Sequence, residues 1–309
     1  MRTILFKLFL ACICFISCQT SKQDSDIQLK VLSWNIWHGG HSKSYPESGC
    51  EGVIGIIKHS EADVVIMIET YGASDKVADS LGFYHRLLSS NLSIYSRYPI
   101  IETYTFPDSI STFNFGGVMI KMNEKKVRLF NTWLHYLPDA SLVPVDMPEV
   151  DIIAWENEGS RDDEIRKIIS VLQPFIKESD SIPIIIGGDF NSHSHLDWNE
   201  KGKSIRYHND AVINWTISTV MQKNGFIDSF REIHPNPVEN IGTTWMYVED
   251  RSDNTARIDY IYYQGRNIKT MNSESYNALL GDSLEYIGKK FFYASDHGFV
   301  ESTFRLLKN

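Results

Sequence analysis

The chain has 309 residues, of which 42% are apolar and 22% are charged. This composition excludes a disordered protein, and the length allows a core that needs no disulfide bonds. The formal net charge is -9, and so acidic a protein lacks the broad positive surface on which nonspecific nucleic-acid binding depends. Nucleic acid is therefore a possible partner but not a favoured one.

The first 17 residues have the pattern of a secretory signal peptide, because two cationic residues precede an apolar run from Leu8 to Ser17. This run is too short to cross a bilayer as a mature helix. The stretch Phe15-Ile-Ser-Cys18 resembles a bacterial lipoprotein cleavage box, with Phe where Leu is usual, and Cys12 is a weaker alternative. We expect export and a lipid anchor at Cys18 on the periplasmic or cell surface, followed by a polar tether over residues 18–26. Secretion without an anchor, a noncleaved anchor and a buried N-terminal helix are the alternatives.

Strand-like and helical patterns alternate from residue 27 to the end without a linker, which predicts one domain over residues 27–309. Cys50 is the only cysteine beyond Cys18, so no disulfide framework is expected, and we interpret this thiol as an incidental loop residue. In chain order, the predicted elements are strand Leu29–Trp34, helix Gly52–His59, strand Asp63–Ile68, helix Asp75–Leu81, strands Leu92–Ser96, Val118–Lys121 and Val127–Trp133, helix Asp162–Lys177, strand Pro183–Gly188, helix Ala211–Asn224, and strands Ile258–Tyr263 and Phe299–Phe304.

The helix predicted over Asp162–Lys177 has the clearest signal, because its isoleucines and leucine recur on one face. Val118–Lys121 and Val127–Trp133 flank a polar turn and predict a hairpin. Hairpins with interspersed helices favour stacked mixed sheets between helical layers over a parallel nucleotide-binding sheet. Gly187-Gly-Asp-Phe-Asn lacks the lysine and the spacing of a phosphate-binding loop.

Polar residues interrupt the ends of several apolar, strand-like runs. Burying an unpaired carboxylate is costly, so several at strand ends need a shared counter-charge, which a bound divalent cation would supply. These residues are Asn35, Glu69, His135, Asp189, Asn191, Asp259, Asp296 and His297.

The local motifs around these residues resemble the endonuclease/exonuclease/phosphatase superfamily. They are, in chain order, Ser33-Trp-Asn-Ile-Trp, Met67-Ile-Glu, Tyr95-Ser-Arg-Tyr-Pro-Ile, Gly187-Gly-Asp-Phe-Asn, Arg257-Ile-Asp-Tyr-Ile and Ser295-Asp-His-Gly. The resemblance implies an α/β fold, a four-layered sandwich of two mixed, mainly antiparallel sheets flanked by helices. It also implies hydrolysis of a phosphoester with a divalent cation, without naming the substrate.

The resemblance assigns metal binding to Glu69, Asn35 and Asp296, and hard oxygen ligands of this kind suit Mg²⁺ or Mn²⁺. A strand-terminal cap and a solvated carboxylate are the ordinary alternatives for Asn35 and Glu69, and hydrogen-bond acceptance is the alternative for Asp296. The site would then hold one phosphate beside one metal.

Asp189 and Asn191 would face the same way on an extended segment. Asp189 could then orient or deprotonate the attacking water while Asn191 donates to a phosphate oxygen, although a turn closed by Asp189 is also compatible with the sequence. By resemblance, His297 would contact the phosphate, and Asp259 would bond its other ring nitrogen.

His135 departs from the commoner family pattern, because Trp133 occupies the usual histidine position in Asn131-Thr-Trp-Leu-His. Residues 133 and 135 share a face of an extended strand, so His135 would still face the cleft and bind phosphate or protonate the leaving group. Arg97 would contact substrate or form a structural ion pair. Four further histidines could add a metal site or contact substrate, or could be ordinary loop residues: His38, His41, His193 and His195.

The segment Leu137–Arg161 carries six acidic residues after His135 and has the length of a functional loop. Negative charge beside the cleft would repel a duplex backbone. We therefore expect a phosphodiesterase or phosphatase acting on a small or a lipid- or sugar-linked phosphate. A secreted DNase-like endonuclease and a non-catalytic surface binding lipoprotein are the alternatives. The sequence leaves the natural substrate, the number of metals and the oligomeric state open.

Overall fold

The computed structural model describes residues 27–41, 48–205, 208–246 and 255–307. The predicted signal peptide, the lipidation site at Cys18 and the polar tether lie outside these residues. Within the described ranges, no helix combines the length and the apolar character needed to cross a bilayer.

Two six-stranded mixed sheets form the centre of the fold. The strands of the first sheet are β1 (Ile27–Asn35), β2 (Val64–Ile68), β3 (Tyr84–Leu87), β4 (Leu92–Ser96), β13 (Ile268–Tyr276) and β16 (Phe299–Leu306). Their spatial order is β13-β16-β1-β2-β4-β3. Only β1 and β2 run parallel, and the other neighbours are antiparallel.

The second sheet has the same number of strands and again a single parallel pair. Its strands are β5 (Ile100–Thr103), β6 (Phe115–Met122), β7 (Lys125–Trp133), β8 (Ile184–Asp189), β9 (Ile227–Asp228) and β12 (Asp259–Gln264). The order is β5-β6-β7-β8-β12-β9, with β7 and β8 parallel. Two small hairpins pair β10 (Trp245–Met246) with β11 (Thr255–Ala256) and β14 (Ser283–Tyr286) with β15 (Lys289–Phe292).

Several helices surround the two sheets. They are α1 (Trp37–Gly40), a single kinked turn, α2 (Ser48–Ser60), α3 (Ser74–Leu81), α4 (Glu149–Glu156), α5 (Arg161–Lys177), α6 (Thr216–Lys223) and α7 (Ser229–Ile233). Of these, α2 and α3 cover the outer face of the first sheet, and α5 and α6 cover that of the second. Two short 3-10 helices, Ala140–Leu142 and Gly202–Ser204, lie in the connections.

Because successive side chains of a strand point to opposite faces of its sheet, the core has three layers of contacts. In β2, Val64 and Ile66 pack between the two sheets, whereas Val65 and Met67 pack against α2 and α3. On the far side, Ile168 and its helical neighbours in α5 pack on the outer face of the second sheet. Because the central strands are buried on both faces, they are continuous apolar runs. The result is the predicted four-layered α/β sandwich.

Most predicted elements are confirmed within a few residues, including the β6–β7 hairpin and α5. The helix predicted over Ala211–Asn224 is shorter, because only Thr216–Lys223 is helical. Cys50 does not lie in a loop as predicted; it is buried in α2. The segment Leu137–Arg161 contains α4 and a 3-10 helix, so it is not the long irregular loop that was expected.

The strand directions bring the predicted polar residues to one edge. Asn35 ends β1 opposite Ile68, the residue before Glu69, and antiparallel β16 starts beside the end of β1. In the second sheet, the last residue of β8, Asp189, pairs directly with the first residue of β12, Asp259. Both sheets therefore present their polar strand ends on the same side of the molecule.

A buried ion cluster ties the loop after β8 to α7 and β12. Asp197 accepts a hydrogen bond from Arg231. It also accepts two from Arg257, at 2.9 and 3.0 Å. Arg257 also lies 2.8 Å from Asp228. Burial alone would raise the pKa of Asp197, but the charges of Arg257 and Arg231 outweigh it and lower that pKa.

We expect Asp197→Asn to lower the free energy of unfolding by about 3–5 kcal/mol, because it leaves two buried guanidinium groups short of a counter-charge. Since the folded pKa of Asp197 is depressed, its contribution is complete above the unfolded pKa of about 3.9 and is lost only as the pH falls through the folded value. Urea unfolding at pH 5 to 8 measures this difference.

The matched control is Asp180→Asn, which breaks an exposed ion pair with Arg266. Its expected cost is below about 1 kcal/mol. Equal losses in the two variants would contradict the structural role of the buried cluster.

Candidate active site

A cleft of about 440 Å³ opens where the polar strand ends of the two sheets meet. Five predicted site residues line it, namely Glu69, Asp189, Asn191, Asp296 and His297. Two others, Asn35 and Asp259, are fully buried and contact lining residues. The structure therefore brings seven of the nine predicted site residues together.

His297 lies between two buried carboxylates at the floor of the cleft. Its Nδ1 is 3.0 Å from Asp259 Oδ2, and its Nε2 is 3.8 Å from Asp189 Oδ2. All three residues are at most 6% exposed. Burial by itself would lower the pKa of His297, but the charges of Asp259 and Asp189 raise it well above its usual value. The two carboxylates therefore favour the imidazolium form of the ring.

The backbone around His297 is held by residues of the first sheet and the preceding loop. Its carbonyl oxygen accepts from Trp34 Nε1 at 3.1 Å and from the Tyr293 hydroxyl at 2.7 Å. Ser295 accepts from the His297 N–H and donates to the Asn35 carbonyl. Asp259 is fixed in turn, because its N–H donates to Thr244 Oγ1. The imidazole is thus oriented before any ligand binds.

The carboxyl group of Asp189 binds a proton more tightly than an exposed aspartate does. Burial and the nearby Asp259 raise its pKa to about 8, against the opposing charge of His297. Its oxygens accept from the Asn191 N–H at 3.0 Å and from Asn35 Nδ2 at 3.2 Å. A carboxylate whose pKa lies near the working pH can take up a proton and release it again.

Asn35 joins the two halves of the site. Its amide nitrogen donates to Glu69 Oε1 and to Asp189 Oδ2, each at 3.2 Å, while its Oδ1 accepts from the Trp37 N–H. Asn35 therefore presents amide hydrogens, not its oxygen, to the two carboxylates. In this arrangement it holds Glu69 and Asp189 in place, and its role as a metal ligand stays a prediction.

Glu69 is fixed in an unusual backbone conformation at the cleft. Its φ is +57°, which residues other than glycine seldom adopt, and its N–H donates to Asn91 Oδ1. The second carboxylate oxygen accepts from the His38 N–H at 3.2 Å. These contacts aim a half-buried carboxylate into the cleft.

Asp296 provides the test of whether a cation fits. Burial and the charge of Glu69 raise the pKa of Asp296 to about 6, with His297 opposing. Its Oδ1 is buried and has no hydrogen-bond partner among the described residues. Two carboxylates that repel each other, one with an unpaired oxygen, make a donor set that suits a hard divalent cation.

A second group of potential ligands is the trio Asp189, Asp259 and His297, whose ligand atoms all lie within 4.8 Å of one another. A histidine binds metal only through a neutral nitrogen. In this trio, Nδ1 of His297 already forms a hydrogen bond with Asp259 Oδ2, so only Nε2 is open to a ligand. Glu69 and Asp296 form the other candidate cation site.

Asn191 lines the cleft but not through the extended geometry that was predicted. Its φ is +50°, and its N–H donates to Asp189 Oδ1, which closes a turn. The side-chain amide donates to the Leu134 carbonyl at 2.9 Å, and buried Arg161 donates to the Asn191 carbonyl. One of the two amide hydrogens is therefore engaged in holding the loop.

The expectation that His135 faces the cleft is wrong. Strand β7 ends at Trp133, and the next N–H groups, of Leu134 and His135, donate to the Asp189 carbonyl and to Glu164. The His135 ring bonds the backbone of its own loop at Leu137 and does not line the cleft. The alternating-face argument fails because the strand does not continue to residue 135.

Arg97 also lies outside the cleft, so substrate contact is not supported. Its side chain bonds the Ala62 carbonyl, lies 3.8 Å from Asp63 and covers the Phe83 ring. His193 is buried against the Ala140 carbonyl, and His195 bonds Ser218. For Arg97, His193 and His195, the contacts therefore support the structural roles that the sequence offered as alternatives to substrate or metal binding.

The acidic segment contributes less charge to the cleft than was predicted. Asp139 is the only one of its six acidic residues that lines the cleft. Glu156 is buried, forms a hydrogen bond with Ser192 and lies 3.9 Å from Arg161. Glu149 accepts a hydrogen bond from Asn214. The argument that this segment repels a duplex is correspondingly weaker.

Aromatic residues complete the cleft, and among them only Trp37 belongs to one of the sequence motifs. Trp37, Tyr71 and Tyr136 line its walls, and the Trp245 ring lies 4.7 Å from the His297 ring. Trp133, which the sequence marked only as a departure, is part of the same lining. No local pattern distinguishes these aromatic residues from core residues, so only the tertiary structure identifies them.

We expect Asp259→Asn to lower the pKa of His297 by about 1–3 pH units, because it removes the nearest opposite charge. The raised folded pKa means that this ion pair stabilises the protein fully below the unfolded pKa of about 6.5, and that the contribution is lost as the pH rises through the folded value. An NMR titration of the His297 ring protons measures the change.

The matched control is Asp75→Asn, which removes the carboxylate 3.2 Å from the surface residue His85. It should leave the His297 titration where it is. An unchanged His297 pKa in Asp259→Asn would show that Asp259 does not stabilise the imidazolium.

Known proteins share both the sequence pattern and the fold. The chain is 28% identical over 280 residues to an uncharacterized protein of Caenorhabditis elegans, covering 85% of this chain and 86% of that protein. The structure of D. rerio TDP2 complexed with a single-strand DNA product superposes with a TM-score of 0.59 at 15% identity, over 91% of this chain and 100% of that one.

A structure of a Bacteroides thetaiotaomicron endonuclease/exonuclease/phosphatase family protein gives a TM-score of 0.58 at 13% identity, over 92% of this chain and all of the other. At these sequence identities, the two solved structures show only that their proteins share a fold with this chain. The model of the Endonuclease/Exonuclease/phosphatase family matches residues 32–297, and this chain therefore belongs to that family.

Proposed function

We propose that the protein is a divalent-metal-dependent phosphoester hydrolase, a phosphodiesterase or phosphatase acting on a small or a lipid- or sugar-linked phosphate. One observation carries the proposal. A buried imidazolium, His297, lies beside Asp189 in a cleft that also holds Glu69 and the partly unpaired Asp296. Family membership supports the same class of chemistry.

Glu69 and Asp296 would hold the cation, Mg²⁺ or Mn²⁺, with Asn35 keeping Glu69 in place. When bound, the cation would neutralise charge on the phosphate and polarise its P–O bonds. The two carboxylates would then no longer repel each other, since their charge would be shared with the metal.

The remaining steps belong to the protein's own side chains. His297 would donate from Nε2 to a phosphate oxygen, because its Nδ1 is held by Asp259. Asp189, in its ionised form, would accept the proton of the attacking water, and the leaving-group oxygen would take a proton from solvent as its P–O bond breaks. The second amide hydrogen of Asn191 would add a donor for the same phosphate, so charge that develops during attack meets preorganised donors.

We expect the mature protein to hydrolyse bis-p-nitrophenyl phosphate with Mg²⁺ or Mn²⁺ and to lose that activity in EDTA. Glu69→Gln and His297→Gln should each reduce kcat/KM by about 100-fold or more, because one removes a metal ligand and the other the charged donor. Initial rates of p-nitrophenolate release measure both. Glu158→Gln and His85→Gln, which alter side chains outside the cleft, are the matched controls.

Parallel incubations with sphingomyelin and plasmid DNA separate the alternatives. Metal-dependent DNA nicking that both site variants abolish would favour the endonuclease alternative. No turnover of any substrate would favour the non-catalytic binding protein.

Mn²⁺ titration by calorimetry tests the metal assignment. Mn²⁺ affinity that is lost in Asp259→Asn but kept in Glu69→Gln would move the cation to the trio of Asp189, Asp259 and His297.

We further propose that the protein is exported and anchored to a membrane through lipidated Cys18. The cationic start, the apolar run and the cleavage-box pattern support this proposal. Expressed as the full chain in a bacterium, it should partition into the detergent phase of a Triton X-114 extract.

We expect Cys18→Ser to abolish that partition, because the modified sulfur is lost, whereas Cys12→Ser should leave it unchanged. Phase partition followed by immunoblotting measures both variants. Detergent-phase protein in Cys18→Ser would contradict lipidation at this residue.

A further inference from the structure

Half-buried Trp133 and exposed Tyr136 form one wall of the cleft. Trp133 and Tyr136 both line it, and their ring centroids are 6.2 Å apart. Phe113 supports the Trp133 ring edge-on at 5.7 Å. Tyr136 is 52% exposed although its ring lies beside a buried charged site. An apolar face left open at the entrance of a cleft is a surface that a ligand can cover.

The backbone of Trp133 is fixed on both sides. Its N–H donates to the Asn114 carbonyl at 2.9 Å, and its own carbonyl accepts from Asn114 Nδ2 at 3.0 Å. The Trp133 half of the aromatic wall is therefore attached to the end of β7, whereas Tyr136 lies in the loop that follows. A fixed aromatic face loses little entropy when a ring stacks on it.

The charges of the cleft limit how many phosphates a ligand can carry. In the part of the chain that the structure describes, no lysine or arginine lines the cleft, whereas Glu69, Asp139 and Asp296 do. Proteins that bind a nucleic-acid backbone use basic residues along the groove. One phosphate can be neutralised at the floor by His297 and a cation, but phosphates further along would meet carboxylates.

We infer that Trp133 and Tyr136 are specificity-determining residues that stack on a planar ring of a substrate carrying a single phosphate group. This inference rests on the proposed phosphoester chemistry and adds the substrate class. The ring would lie against the aromatic wall while the phosphate lies between His297 and the cation site. Trp133 would thus recognise the organic part of the substrate.

The inference is tested by calorimetry on the mature protein with Mg²⁺, comparing thymidine 5′-monophosphate with methyl phosphate. Both ligands carry one phosphate, but only the first carries a planar ring. We expect the wild type to bind the nucleotide at least about 10-fold more tightly, in the range measured for stacking on aromatic side chains. Trp133→Ala and Tyr136→Ala should each reduce this ratio, and Trp133→Phe should retain most of it.

Tyr84→Ala is the matched control, because Tyr84 is 55% exposed on β3, outside the cleft, and its loss should leave the ratio unchanged. Equal affinity of the wild type for the two ligands would overturn the inference. Much tighter binding of a thymidine tetranucleotide would overturn the single-phosphate part. A preserved binding ratio with no hydrolysis in any assay would contradict the proposed function and leave the aromatic platform intact.

Discussion

An imbalance of charge at one edge of the two sheets is the constraint on which the site depends. Asp189 and Asp259 are buried beside a single imidazolium, and Glu69 and Asp296 lie in the same cleft. A buried carboxylate without compensation is costly. His297 compensates part of this charge, which is why its pKa is high, and the unpaired oxygen of Asp296 marks where compensation is incomplete.

The close approach of the two sheets makes this arrangement possible. A Cβ added to Gly187, in the second sheet, would lie 2.9 Å from Ser33 Oγ in the first sheet. Asn131 crosses between the sheets and donates to the Met67 and Ser93 carbonyls. One glycine and one buried amide therefore allow Asp189 to lie near Asn35. The geometry of the candidate site is thus a consequence of sheet packing as much as of the polar residues themselves.

The predicted residues that the structure brings together at the cleft share one property. Asn35, Glu69, Asp189 and Asp259 lie at or next to the ends of strong apolar runs, and the ends of adjacent strands must meet at one edge. The predictions for His135 and Asn191 failed in their geometry because they assumed extended backbone beyond a strand end. Where a strand ends is decided by hydrogen bonds such as that from the Leu134 N–H to the Asp189 carbonyl, which join distant parts of the chain.

The sequence by itself determined the layered α/β fold, the family and most of the charged site. Apolar periodicity and the order of the motifs can both be read along the chain without knowledge of its tertiary contacts. Only the tertiary structure decided which side chains surround those charges. It placed Arg97 in a peripheral ion pair, turned His135 away and brought Trp133, Tyr136 and Trp245 into the cleft. The physical reason is that an aromatic or cationic side chain is compatible with many environments. Packing between segments far apart in the chain selects among them.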